Sequence, residues 1–433
     1  MSSEANPPTH RLEPLGQRGM RAEEGGQVQS SVRCVLFCVV ALLSMLGEGM
    51  AVFALTLESA DQLGSWGVTA LFLAGLVPPI LAAPAIGRWV DGSALFRVGI
   101  LNLCVHVAIF AVMAIASNIF ASLALMPVAS ICAVVNGAVI FKIIPRIRGG
   151  FSIARASSFL VVATSLAGII APAIASLVFA KSGIGAVLWY AAAGFLALAL
   201  AAIFLSRSQA ANGTGTDAAN EPDQGGPVSP GGAALTRNPQ LPILLLPVAA
   251  IVLFTAAEGV SGVFYLREIT ENDTGYAVLL GAWSVGAVFG SLLGGNRRFG
   301  TRSALPILLG GGLVGAAILT EGLWANAAGL ALVFLAGGLG NGLHNTGVRT
   351  AIYEYVPEAR HGAAWAQLRM LINIMVALGY LIGTPGLLIG PARAIIVISG
   401  AATLLVIVLS AALYSWKAQA RVHGRTSATE PRD

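Results

Sequence analysis

Apolar residues fill this chain in long unbroken runs, separated by short polar stretches that hold most of its charges. The run "AIIVISGAATLLVIVLSAAL" at 394–413 alternates with nothing and has no polar stripe. Twelve such runs lie near 34–57, 66–86, 97–117, 119–141, 153–180, 184–205, 241–266, 275–295, 303–323, 327–348, 364–388 and 393–416. Each approaches or exceeds the ~20 residues that cross ~30 Å of hydrocarbon as a helix. A membrane β-barrel would alternate apolar and polar positions over ~10-residue segments. The pattern therefore predicts an all-α membrane protein with twelve transmembrane helices.

Between the sixth and seventh runs lies "SRSQAANGTGTDAANEPDQGGPVSPGGAALTRNPQ" (206–240), too polar and too rich in Gly, Asn and Pro to bury a core. The expected organisation is a polar tail over 1–33, a six-helix half over 34–205, and a flexible linker over 206–240. A second six-helix half follows over 241–416, with a tail over 417–433. Residues 1–30 lack the apolar core of a cleavable signal peptide.

Composition agrees: 56% of the 433 residues are hydrophobic and 10% charged, against about 25% charged in soluble domains. Of the 25 Lys and Arg, all but Lys181, Arg267 and Arg393 fall on one side of the expected bilayer. Positive charge concentrates on the cytoplasmic side, which predicts both termini and the linker in the cytoplasm of a multi-pass cell-membrane protein. It also accounts for the basic balance without a nucleic-acid partner. The four cysteines lie in or beside spans and form no metal or disulfide pattern. The sequence contains no GxxxxGK[ST] loop and no GxGxxG after a strand, and it suggests no catalytic triad. It reads as no enzyme, needs no metal or other cofactor, and is expected to act as a monomer.

The acids sort as sharply as the bases. Glu58, Asp61, Glu268, Glu271, Asp273 and Glu321 fall in outer loops or at outer span ends, and only Glu48 and Glu258 lie at depth. Glu58 stands ten residues beyond Glu48, roughly 15 Å along a helix, so Glu48 is expected half-way through the bilayer. The same arithmetic places Glu258 below Glu268. The segments "LGEGMAVFALTLES" (46–59) and "AAEGVSGVFYLRE" (256–268) match at an offset of 210 residues. Two other segments repeat at nearly the same spacing: 67–87 on 275–295, and "IIPRIRGGFSIA" (143–154) on "YVPEARHGAAWA" (355–366). A duplicated six-span unit follows, two parallel halves with a midplane site between them. Both glutamates are expected to face that shared space.

These residues resemble the major facilitator superfamily and, within it, the macrolide-efflux-like branch of drug exporters. The resemblance rests on "VTALFLAGLVPPILAAPAIGRWVDG" (68–92), "GAWSVGAVFGSLLGG" (281–295) and "GLGNGLHNTGVRTAIYEYVPEARHG" (338–362). It implies a gating loop after the second span, here Gly87, Asp91 and Arg97, in which Gly92 replaces the usual Arg. It implies an antiporter-type hinge in span five, here Ala171 and Pro172, with Gly379, Gly383 and Pro385 as the counterpart in span eleven. An Arg common in span four of other proton-coupled branches is absent, Asn136 standing in that region.

Three roles are open to the deep glutamates. A charged carboxylate at this depth costs ~2.5–3.5 kcal/mol on insertion scales, and low dielectric favours the neutral acid, which suits a proton carrier. A counter-charge for a cationic substrate is the second role, and a hydrogen bond to a neighbouring helix the third. Candidate cavity-lining residues are His106, Asn136, Tyr265, Trp283, Asn345 and Tyr380. The expected function is export of an amphipathic small molecule by proton antiport, through alternating access and driven by the proton gradient. An uptake symporter or facilitator, or a non-transporting membrane sensor, are the alternatives.

Overall fold

A computed structural model describes residues 15–91, 95–147, 151, 153–211, 241–294, 303–324, 326–357 and 360–426. Its helices are α1 (Leu15–Asp91), α2 (Leu95–Ala116), α3 (Ile119–Ile147), α4 (Ile153–Ala211) and α5 (Leu241–Thr270). They continue as α6 (Asp273–Gly294), α7 (Ala304–Leu323), α8 (Ala327–Tyr355), α9 (His361–Ile382) and α10 (Ala392–Thr426). All ten are long and apolar enough to cross a membrane.

Two of them are hairpins. Gly64 in α1 and Gly183 in α4 carry φ of 66° and 73°, a region that costs glycine nothing because it has no Cβ. If α1 were straight, Glu48 and Pro79 would lie roughly 45 Å apart; instead they line one cavity. Likewise Ala171 and Ala191 of α4 lie against Gly49 and Gly47 of α1. The arms are called α1a (15–63), α1b (65–91), α4a (153–182) and α4b (184–211). With the hairpins opened, the described residues supply twelve apolar arms, in the order the hydropathy runs predict.

Some boundaries differ from expectation. Helix α1 begins at Leu15, so part of the expected tail is helical, and α10 continues past 416 to Thr426. Gly87 and Asp91 belong to the last turns of α1 and not to a loop, because nothing in "GRWVD" breaks a helix. Their side chains, residues 1–14, the linker over 212–240 and the end of the tail lie outside the described residues.

The two halves pack alike, as their sequence repeat requires. Helix α3 packs on α1b and α2, as α8 packs on α6 and α7; α4 packs on α2, as α10 packs on α7. Small residues permit these approaches. Gly286 and Gly290 of α6 meet the carbonyls of Leu335 and Leu339, and Gly338 and Gly342 of α8 meet those of Trp283 and Ala287, with no room for a Cβ. Such contacts let backbones rather than side chains touch, which drives helix association in lipid. Between the halves, α4 meets α6, and α1 meets both α5 and α9.

Candidate functional site

One end of the bundle, the end poor in Lys and Arg, is closed by contacts between the halves. Arg267 of α5 donates from Nη1 to Asp61 Oδ1 at 2.8 Å and from Nη2 to Asp61 Oδ2 at 3.3 Å. Its Nε donates to Asp273 Oδ1 at 2.7 Å. Ser65 Oγ of α1b donates to Pro385 O at 3.1 Å, and the hydroxyls of Thr69 and Thr384 lie 2.6 Å apart. Beside them Phe53 stacks on Tyr276 at 5.7 Å between centroids, and Phe72 packs tilted against Tyr380 at 5.0 Å.

Toward the Arg-rich end the halves part around two cavities. The first, about 500 Å³, is lined by Glu48 and Val52 of α1a, Pro79 of α1b, Ser130 of α3, and Arg369 and Asn373 of α9. It is the one place among the described residues where Glu48 meets the opposite half across open space, and neither Glu48 nor Arg369 is in an ion pair there. The second cavity, about 700 Å³, lies between α4a and α6. Its lining includes Ser165, Trp283, Ser284, Ser291 and Asn341 and carries no charge. Both cavities are lined mainly by apolar residues, and among the described residues only the first carries charged groups.

The arms position Glu48 through their small residues. A Cβ on Gly47 would lie 2.8 Å from Ala191 Cα and one on Gly49 2.9 Å from Ala171 Cβ, so neither position has room for a side chain. That close packing of α1a on both arms of α4 turns the intervening Glu48 away from them and into the cavity. Gly379 and Gly383 hold α9 equally close to α5 at Leu253, Ala256 and Ala257. Pro172 lies within the continuous arm α4a. Pro385, expected inside span eleven, lies beyond it, since α9 ends at Ile382 and Gly383 caps it. These residues pack helices tightly in the structure.

Glu258 does not line the Glu48 cavity. Its carboxyl folds along α5 over Gly262, with Oε1 2.7 Å from where a Cβ would stand. Glu321 of α7 and Tyr276 of α6 lie within electrostatic reach of it. Glu321, expected at an outer span end, is 2% exposed, and its Oε1 has no hydrogen-bond partner.

Other expected lining residues take other places. His106 is fully buried inside the N-terminal half, stacked 4.0 Å from Phe195 and 5.5 Å from Phe110, with both ring nitrogens unpartnered. Asn136 is buried beside Gly99 and Leu103, in the core between α2 and α3. Tyr265 is buried and donates to Gly322 O at 3.3 Å. All three lie on arm faces turned into one half, which depth along the axis does not reveal. Trp283 does line a cavity, the uncharged one. Asn345 is exposed and donates from Nδ2 to Asn341 Oδ1 at 3.1 Å, and Tyr380 seals the closed end. Arg97 is exposed on α2. Three participants were not singled out by the sequence: Arg369, Glu321 and the Arg267–Asp61 bridge. The one available signal was charge, since each belongs to the sparse set of charged residues in or beside the apolar runs.

Two six-arm halves related by an internal repeat, sealed together at one end and parted around cavities at the other, define a secondary transporter architecture. The sequence profile of the Major Facilitator Superfamily matches residues 37–380. The chain belongs to that superfamily and is a multi-pass membrane transporter. No curated protein matches the chain. Among solved structures it is similar to the nucleoside transporter NupG, with a TM-score of 0.64 and 13% identity over 88% of this chain and 99% of that one. It is also similar to a bacterial homologue of the iron transporter ferroportin in its inward-facing state, with a TM-score of 0.65, 14% identity, and 90% and 99% covered. A bacterial homologue of the lysosomal transporter Spinster, inward-facing and unoccupied, follows with a TM-score of 0.61, 14% identity, and 90% and 96% covered. At such identities the likeness shows the fold alone.

Proposed function

We propose that this transporter exports an amphipathic small organic molecule in exchange for protons. The observation that carries the reading is the unpaired Glu48 carboxyl in a cavity between the halves, beside a second, uncharged cavity lined largely by apolar side chains. A lone carboxyl in low dielectric stays only if it exchanges its proton or meets a cation, and an apolar wall beside it suits a substrate with one charged and one greasy end. Import would use the same cavities, and the direction rests on the resemblance of 68–92, 281–295 and 338–362 to exporters.

The cycle follows from the contacts. With the Arg267 end closed, the cavities receive substrate from the Arg-rich side, which the distribution of Lys and Arg assigns to the cytoplasm. Parting of the Arg267–Asp61, Ser65–Pro385 and Thr69–Thr384 contacts would open the opposite end, where a proton taken up by a buried carboxyl displaces the cargo. Energy comes from the proton gradient, with no bound cofactor, and a monomer holds the whole pathway.

The test uses everted membrane vesicles loaded from outside with ethidium, a lipophilic cation, or with an uncharged lipophilic dye. Energised uptake of either into the vesicles, abolished by a protonophore and lost in the Glu48→Gln Glu258→Gln double variant, is the expected result. Accumulation only in right-side-out vesicles would make the protein an importer, and indifference to the protonophore would remove the proton from the scheme.

A further inference from the structure

The strongest feature the proposed cycle leaves unused is Glu321. A carboxyl at the last turn of a helix faces the negative end of that helix's dipole. Here it is also 2% exposed, with an oxygen that meets no donor among the described residues. A buried acid without a partner is costly, so something must compensate it.

The geometry around it converges on Glu258. Tyr265 of α5 donates to Gly322 O at 3.3 Å, and Arg393 of α10 donates from Nε to the same carbonyl at 2.8 Å. Together they clamp α5 and α10 to the end of α7 where Glu321 sits. Glu258 precedes Tyr265 by seven residues, two helical turns, so it lies on the same face of α5. From there its carboxyl reaches toward Gly262, in the direction of that clamp, while the Glu321 side chain leans back toward the start of α7, as helical side chains do. Both directions lead toward the contact between α5 and α7. The groups facing them are Tyr265, Arg267 and Glu268 of α5, Tyr276 of α6, and Arg393 of α10. Among the described residues neither acid is in an ion pair, and no third His, Cys, Asp or Glu joins them in a group able to hold a metal.

We propose that Glu258 and Glu321 form one carboxyl pair that shares a single proton and exchanges it during the cycle, leaving Glu48 to contact the cargo. Two like charges in one dry site cannot both persist, whereas a carboxyl and a carboxylate satisfy each other by one O–H···O bond. The structure divides the labour in space: Glu48 opens onto the cavity and the pair lies outside it, beneath the Arg267–Asp61 bridge. Release of the shared proton leaves negative charge near Arg267, which then has two sets of acids to choose between, and this couples proton occupancy to closure of that end. The coupling role rests on the proposed proton exchange; the shared proton itself does not.

Infrared titration of the purified full chain in liposomes separates the two, since protonated carboxyl bands report on the acids without any substrate. In Glu321→Gln the band lost in Glu258→Gln should titrate with its midpoint shifted by about one pH unit or more, and Glu48→Gln should leave that band alone. Gly262→Ala keeps both acids but puts a methyl 2.7 Å from Glu258 Oε1, too close for the carboxyl to stay where it is; it should shift the same midpoint, so it decides the matter if Glu321→Gln fails to fold. Midpoints of Glu258 that do not move in either variant overturn the pair, even if ethidium efflux remains proton-driven. A shifted midpoint together with ethidium efflux indifferent to a protonophore keeps the shared proton and overturns its coupling role along with the proposed function.

Discussion

Arg267 and Asp61 join the two halves of the transporter by a two-pronged ion pair, at 2.8 and 3.3 Å, across 206 residues of sequence. A second carboxylate, Asp273, holds the Arg267 Nε from within the same half. The guanidinium is thus preset by one acid for capture of the other, which suits a contact that must form and part once per cycle.

Removal of this bridge should tilt the molecule toward its opposite-facing state, but modestly. Asp61 is half exposed, and exposed pairs contribute about 0.2–1 kcal/mol, so Asp61→Asn should change the open-to-closed ratio by about 1.4- to 5-fold. Spin labels at Gln62 and Leu388, one on each half, would report it as growth of the longer of two distances. A charge swap, Asp61→Arg with Arg267→Asp, should restore closure only in part, because the new acid at 267 faces Asp273.

Among the described residues Arg369 is the one cation lining the Glu48 cavity. Arg369→Ala should improve the apparent affinity for ethidium, and Glu48→Gln should worsen it about 10-fold or more, the worth of a charge-assisted contact. An uncharged dye should respond little to either change. Kinetics of both probes in vesicles check the pair of predictions, and equal effects on both would show that neither charge meets the cargo.

His106 stacks against both Phe110 and Phe195 with two unsatisfied nitrogens. His106→Phe keeps the ring and removes the unmade hydrogen bonds, so it should stabilise the protein by about 1–3 kcal/mol without loss of transport. Thermal unfolding in detergent, beside vesicle transport, measures this. A stable but inactive variant would restore to His106 the functional role that its sequence position suggests.

Gly290 and Gly338 lie where a Cβ would strike the Leu339 and Trp283 carbonyls. Alanine at either should cost about 1–3 kcal/mol through overpacking. Gly312 meets nothing within 4 Å, and there alanine should instead add about 0.5–1 kcal/mol by its helix propensity. The opposite signs, read by thermal unfolding, distinguish close packing from a general intolerance of substitution.

The order of the apolar arms and the twofold repeat were legible in the chain itself, as was the rarity of Glu48 and Glu258 within apolar runs. Hydrocarbon thickness imposes a length on every span, a duplicated segment repeats its residues at a constant offset, and a lone charge in an apolar run stands out. Arm order did not reveal that α1 and α4 reverse at single glycines, nor that Pro385 falls after its helix. His106, Asn136 and Tyr265 had the right depth for a cavity and the wrong side of their helices. Glu321 and Arg369 looked like span-end charges until neighbouring arms enclosed one and left the other facing Glu48.

Sequence by itself determined the order and the lengths of the apolar arms, because burial in lipid is a one-dimensional cost summed along the run. Only the tertiary structure decided the rotation of each arm about its own axis, because every arm is apolar nearly all round and hydropathy therefore names no preferred face. Close contacts at Gly47, Gly49, Gly379 and Gly383 set those rotations. They aim Glu48 into the cavity, while Tyr265 and Arg393 clamp α5 and α10 to the end of α7 at Gly322.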